Sequence, residues 1–273
     1  MTLHPGCNIV RVGAEAARLG LQVAIQQTCE NARIPRNQIA HTCIGCAGIS
    51  ASKVTSTLKQ FISEEVSGSI EVVGDHHIAF EAAFGDEPGV LVEVGTGSIV
   101  FGRNAKGQSA RAGGHGFAIS DEGSGYWIGR MAVSLTLRAL DCGHKTLLLP
   151  LILQEWQVPQ KDLVKAANSC PAPDCARLYP LVLEAERDGD EVASLVLRRA
   201  SVELAQLAQV VLGRLSMTGS ARVAMAGGVF ENSEHIRMQF ADALGILWPS
   251  AEVLPTLTDP LLGALSLARK RQQ

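Results

Sequence analysis

The feature that most constrains this chain is a change of period at Gly85-Asp-Glu-Pro-Gly89. Before it, helical and strand patterns alternate. After it come hairpin strands and then almost continuous helix. Residues 13–32 read as a helix ended by Pro35, with Ala17, Leu21, Ala24 and Thr28 sharing a face. Residues 40–46 form a short apolar strand. Ser52 caps a helix carrying Val54, Leu58, Phe61 and Ile62 on one side. Residues 69–73 form a second strand, with Asp75 just past its end, and His77 to Phe84 a short helix closed by Gly85. Beyond the change, residues 90–94, 98–103 and 109–113 read as antiparallel strands, with a hairpin turn at Asn104-Ala-Lys-Gly107. Helix dominates from residue 126 to about 208, and the longest helix is predicted over 190–216. A strand at 221–226 runs into Gly227-Gly228. A helix at about 232–244, a strand near 252–254 and a helix at 260–269 close the chain. The expected fold class is α/β with a boundary near residue 87. Residues 1–87, joined by a C-terminal helix at 258–271, form a small lobe, and residues 88–257 a large one.

Charge and composition narrow the function classes. Acids number 27 and bases 24, net −3, with no run of like charge. A nucleic-acid stripe or a polybasic membrane patch is not expected. No segment reaches the roughly 18 apolar residues of a membrane span, and the N-terminus shows neither a basic nor an apolar leader region. Seven cysteines, an odd number, suit a reducing compartment better than a disulfide scaffold, so a cytoplasmic protein is expected. Cys43-x-x-Cys46 reads as core strand rather than a zinc or redox motif. The histidines show no ligand spacing, so no metal-ligating residue is assigned.

Four segments can carry chemistry. In Gly95-Thr96-Gly97-Ser98, two glycines around a threonine between strands can bring amides and hydroxyls to a phosphate; an ordinary hairpin turn is the competing reading. The segment is not a dinucleotide fingerprint, because a strand follows where a helix is required. Asp75 is a lone carboxylate at the C-terminal end of a strand, where ligands of α/β sheets gather; it can equally cap a turn. Gly113 to Gly125 contains five glycines in 13 residues, costly for an ordinary loop. Within it, Asp121 and Glu122 are either helix caps or polyol-binding carboxylates. Gly227-Gly228 is either a close strand-to-helix turn or bare backbone on which a flat ring can lie.

Taken in order, these pieces resemble the sugar-kinase branch of the actin-like ATPase superfamily. Within it the chain is similar to the N-acetylglucosamine kinase family and to BadF/BadG-type ATPases. The strings are Val72-Val-Gly-Asp75, Gly95-Thr-Gly-Ser98, Gly113-Gly-His-Gly-Phe117, Asp121-Glu-Gly-Ser-Gly-Tyr-Trp-Ile-Gly129, Ala226-Gly-Gly-Val-Phe230 and Asp259-Pro-Leu-Leu-Gly-Ala-Leu265, with Asn8-Ile-Val-Arg-Val-Gly13 leading into the first helix. The resemblance spans about residues 6 to 268. It implies two ribonuclease-H-like lobes around a cleft and an ATP- and Mg²⁺-dependent kinase of N-acetylglucosamine or glucosamine that phosphorylates a hydroxyl, the 6-OH. Asp75 is implied as the general base. Gly95, Thr96 and Gly97 are implied as the second phosphate motif, and Gly227 and Gly228 as the adenosine motif. Asn8, Gly97, Ser98, Gly114, His115, Asp121 and Gly125 are implied as sugar contacts, and the assembly as a homodimer.

Three departures shape the expectation. The family pattern opens with a strand, an Asp-Gly-Gly-Gly-Thr turn and a second strand, whereas here Met1 stands just before Asn8. An incomplete N-terminal lobe that transfers phosphate poorly is therefore expected. His115 stands where relatives carry Trp, and Val10 where some carry an aromatic. Two alternatives stand beside the kinase: a BadF-type ATPase coupling hydrolysis to a partner protein, and a non-catalytic sugar-binding remnant.

Overall fold

A computed structural model describes residues 9–46 and 52–271. The chain divides into two compact units: one runs up to Asp86 and takes the chain back from Asp259, and the other is Glu87–Thr258.

In the first unit, α1 (Ile9–Val12), α2 (Ala14–Ala32), β1 (His41–Cys46), α3 (Ser52–Ser63), β2 (Ser69–Gly74) and α4 (Asp75–Phe84) follow in order. β1 and β2 pair in parallel, from His41 opposite Ser69 to Cys46 opposite Gly74. Period-2 alternation sends Ile44, Cys46, Ile70 and Val72 to a face packed by Leu21, Ile25, Leu58 and Ile62. The face of α2 differs from the expectation. Ala17, Leu21 and Cys29 are buried, whereas Thr28 is exposed and donates its hydroxyl to the Ala24 carbonyl. A threonine can satisfy its hydroxyl on its own helix, so it carries little weight as a core marker. The capping side chain expected at Ser52 lies outside the described residues.

The second unit opens with a meander: β3 (Gly89–Val94), β4 (Ser98–Arg103) and β5 (Ser109–Gly113). Asn104 makes the expected turn, its Oδ1 accepting from the amides of Lys106 and Gln108. Helices α5 (Gly125–Asp141), α6 (Leu148–Trp156), α7 (Leu163–Ala167), α8 (Tyr179–Arg187) and α9 (Glu191–Arg214) follow. Next come β6 (Ala221–Ala226), α10 (Gly228–Asn232), α11 (Glu234–Leu247) and β7 (Ala251–Val253). The sheet order is β5-β4-β3-β6-β7, antiparallel across the meander and parallel from β3 onward. Val90, Val92 and Val94 of β3 and Val223 and Met225 of β6 enter one core with the inner face of α9. The helix expected at about 232–244 is α11, which Ser233 caps by accepting from the Ile236 amide, and the short α10 before it was not expected.

The chain then returns to the first unit with α12 (Pro260–Lys270), capped by Asp259. α12 packs against α4 at Gly263, where a Cβ would lie 1.8 Å from the Ile78 carbonyl. Gly45 of β1 leaves room for the Ile78 side chain in the same way. Lys270 pairs with Glu81 and Asp86, and Ser266 donates to Glu81. These contacts fix α4, and with it Asp75. The α/β fold class expected from the sequence is the one observed. No described helix is long and apolar enough to cross a membrane.

Candidate functional site

The site in the second unit is built where two neighbouring parallel strands end together. Glu93 of β3 lies opposite Ala226 of β6, so Gly95 and Gly227 leave the sheet side by side. Ligands of α/β sheets collect at such ends. Gly227 has φ +94° and its missing Cβ would lie 2.5 Å from the Val94 carbonyl oxygen, so only glycine lets the two turns meet. Gly228 and Gly95 have no such constraint: a Cβ on Gly228 would meet only Asn232 Nδ2 at 3.8 Å, and one on Gly95 nothing within 4 Å. Both present bare backbone that packing does not require.

The Gly95-Thr96-Gly97 turn is held from behind by the start of α5. Gly125 N–H donates to the Gly95 carbonyl at 2.9 Å and Tyr126 N–H to the Thr96 carbonyl at 3.3 Å. Thr96 itself is exposed. Ser98 is buried and its hydroxyl donates to the Glu122 carbonyl at 2.7 Å, tying β4 to the loop before α5. Ser98 and Gly125 therefore have structural work at the turn.

Asp121 is not a helix cap. Ser124 takes that place, accepting from Trp127 N–H. Asp121 is buried and held at φ +62°, a conformation uncommon outside glycine. Its Oδ1 accepts from Gly116 N–H at 3.3 Å. Its Oδ2 lies 2.8 Å from where a Cβ on Gly97 would be, so the carboxylate fills the space that glycine vacates. Burial pushes its pKa above the ordinary aspartate value, with the Glu122 charge adding to the rise and the Gly116 and Ser98 amides opposing it. Gly114, at φ +70°, and His115 are exposed in the same loop, and the His115 charge acts on Asp121. Gly95, Thr96, Gly97, Ser98, Gly114, His115, Asp121, Gly125, Gly227 and Gly228 thus gather around one strand end. Asn8 lies outside the described residues.

Asp75 belongs to the first unit. It is the first residue of α4, following directly on β2, and its Oδ1 accepts from its neighbour's amide, His76 N–H, at 3.0 Å. The His76 ring lies over Gly74, where a Cβ would meet it at 2.5 Å, and brings Nδ1 to 3.5 Å from Asp75 Oδ1. Burial pushes the Asp75 pKa up, but the His76 hydrogen bonds outweigh it and hold the carboxyl below the usual range. His76 was not singled out by the sequence, because the His76-His77 pair has no ligand spacing and its contact runs to the residue before it. Among the described residues no group of three or more His, Cys, Asp or Glu side chains is placed to hold a metal ion. The bare turns at Gly95 and Gly228 fit a nucleotide lying against backbone; a magnesium ion would arrive on its phosphates, with no protein ligand assigned.

The chain is similar to known proteins. It is 35% identical over 233 residues to an N-acetylmuramic acid/N-acetylglucosamine kinase of Clostridium acetobutylicum, covering 83% of this chain and 76% of that protein. It is 29% identical over 281 residues to an N-acetyl-D-glucosamine kinase of Dictyostelium discoideum, covering 97% and 88%. A solved Chromobacterium violaceum chain, proposed to be an N-acetylglucosamine kinase, superposes with TM-score 0.74 at 24% identity, over 97% of this chain and 88% of that one, and shows the shared fold. The family model for BadF/BadG/BcrA/BcrD ATPases matches residues 3–245, which takes in the two bare glycine turns, Asp75 and Asp121 alike, and the chain belongs to that family.

Proposed function

We propose that this protein is an ATP-dependent kinase that transfers the terminal phosphate of ATP to the 6-hydroxyl of an N-acetylated amino sugar. The observation that carries the reading is Asp121. It is a buried carboxylate in a rare backbone conformation, freed from capping by Ser124 and packed into the space left by Gly97 of the bare turn. A carboxylate held so can accept from sugar hydroxyls at a fixed position beside the phosphate turn. The named activities of the Clostridium and Dictyostelium relatives support the same substrate class.

Each residue then has a role. The backbone of Gly95, Thr96 and Gly97 holds phosphates, and Gly227 and Gly228 carry the adenosine. Asp121 orients the sugar, with Gly114 and His115 in its loop and Asn8 as a further contact. Asp75, ionised at neutral pH, takes the proton of the attacking hydroxyl. Magnesium, when bound, neutralises charge on the phosphates. We place the protein in a reducing, cytoplasmic setting on its cysteine usage, and read it as a homodimer, a state that light scattering checks.

Coupled assay of ADP release with N-acetylglucosamine, N-acetylmuramic acid, glucosamine and glucose tests the reading. Turnover that depends on an N-acetylated amino sugar is expected. Equal ADP release with and without any sugar would replace the kinase by an ATPase.

A further inference from the structure

The five-residue helix α10 carries the proposed adenosine turn at its start, and so short a helix leaves nearly all its carbonyls without helical partners. Three consecutive carbonyls of α10 accept from side chains. Asn232 Nδ2 donates to the Gly228 carbonyl at 2.7 Å, the Tyr179 hydroxyl to the Val229 carbonyl at 2.7 Å, and Arg237 Nη1 to the Phe230 carbonyl. Tyr179 comes from α8, 50 residues earlier in the chain. It is buried, and burial pushes its phenol far above the ordinary value, so it remains a donor.

Tyr179 also adjoins the other turn. Gly125, whose amide holds the Gly95 carbonyl, would place a Cβ 3.9 Å from Tyr179 Cβ and 4.0 Å from Val229 Cγ2. Just before Tyr179, the 3-10 turn Cys175–Leu178 packs on α5 so closely that a Cβ on Gly129 would lie 1.8 Å from the Cys175 carbonyl. One side chain therefore lies beside the frame of the phosphate turn and holds the frame of the adenosine turn by a hydrogen bond.

We propose that Tyr179 is a positioning residue for nucleotide: with Asn232 and Arg237 it clamps α10 so that the Gly227-Gly228 backbone stays in register with the Gly95-Thr96-Gly97 turn. The proposal rests on the nucleotide reading of those two turns. It does not require Tyr179 to touch ATP; it acts through the Val229 carbonyl.

Tyr179→Phe in the full chain removes the hydroxyl and leaves the ring. Titration with a β,γ-imido analogue of ATP is expected to show binding about 3- to 10-fold weaker, the loss of one hydrogen bond's net contribution. N-acetylglucosamine affinity should stay within about twofold, and the KM for ATP should rise without a matching rise for sugar. A merely structural tyrosine would lower the melting temperature and leave both affinities alone, and that result would overturn the proposal. Asn232→Ala is the second variant, because its side chain is exposed and its loss leaves the core intact; it should weaken the analogue in the same sense. Unchanged binding in Asn232→Ala, if Tyr179→Phe does not fold, also overturns it. A wild-type chain that binds no nucleotide overturns the reading and the proposal together, whereas tight wild-type binding shared equally by both variants overturns the proposal alone.

Discussion

Asp75 is the residue on which the proposed chemistry turns. A general base contributes about 10²–10⁴ in rate. Asp75→Asn keeps the acceptor for His76 N–H but cannot take a proton. Turnover should fall by that order while sugar affinity holds within about tenfold. Near-normal turnover, with an unchanged melting curve, would remove Asp75 from the mechanism and leave it a first-turn acid of α4. The pH dependence has a definite sign. The folded pKa is depressed, so the base stays ionised down to a pH below the ordinary aspartate range, and its contribution to stability is lost only as pH falls through that folded value. His76→Ala should move the acid limb of kcat/KM to higher pH. Asp121 behaves oppositely. Its folded pKa is raised, so its stabilising contribution is present below the unfolded value and lost as pH rises through the folded one. At neutral pH the buried carboxylate is a net cost, which sugar binding offsets on the proposed reading. Asp121→Asn, which keeps an acceptor for Gly116 N–H, should therefore melt no lower than wild type at neutral pH yet bind sugar poorly. A variant that melts lower and binds sugar normally would make Asp121 a structural residue.

At the scale of elements, the two adjacent glycines after β6 do different jobs, and substitution separates them. Gly227→Ala puts a Cβ into the Val94 backbone at a positive φ, so it should destabilise the second unit and express poorly. Gly228→Ala meets nothing but the end of Asn232, and alanine favours a helix by about 1 kcal/mol over glycine, so the fold should hold or gain. Its expected effect is on the nucleotide alone, measured as a raised KM for ATP. Unchanged ATP kinetics would show that no ligand needs that bare position. The sequence carried the pair and the strand before it, because an apolar run ending in two glycines is a local signal. It did not carry the short α10, nor the Tyr179 side chain that holds it, because the Tyr179 to Val229 bond spans 50 residues and no local period encodes it. The same limit explains Asp121. Before α5 the sequence points to Asp121 and Glu122 as caps, whereas the backbone path gives the cap to Ser124 instead. Strands at 90–94 and 98–103 were legible because each alternates or runs apolar between glycine turns, whereas the α2 face misled at Thr28, whose methyl reads as core and whose hydroxyl turns back to Ala24.

For the whole molecule, fold alone does not set function; separable ligand effects do. A ligand that binds only the folded chain stabilises it by about 2.7 kcal/mol at 100 times its Kd, about 5–10 °C for a domain of some 170 residues. ATP and N-acetylglucosamine should each raise the melting temperature of the wild-type chain. Three variants should then divide these shifts. Asp121→Asn should lose the sugar shift and keep the ATP shift. Tyr179→Phe, at an ATP concentration near the wild-type Kd, should lose much of the ATP shift and keep the sugar shift. Asp75→Asn should keep both shifts and lose turnover, because the base acts on a proton and not on either ligand's binding. Differential scanning fluorimetry with both ligands, alone and together, reads all three. If the three variants lose both shifts in parallel, the substitutions act through global stability and the separate roles assigned to Asp121, Tyr179 and Asp75 fail together. A clean division would mean that sugar orientation, nucleotide register and proton transfer reside in different side chains of one chain.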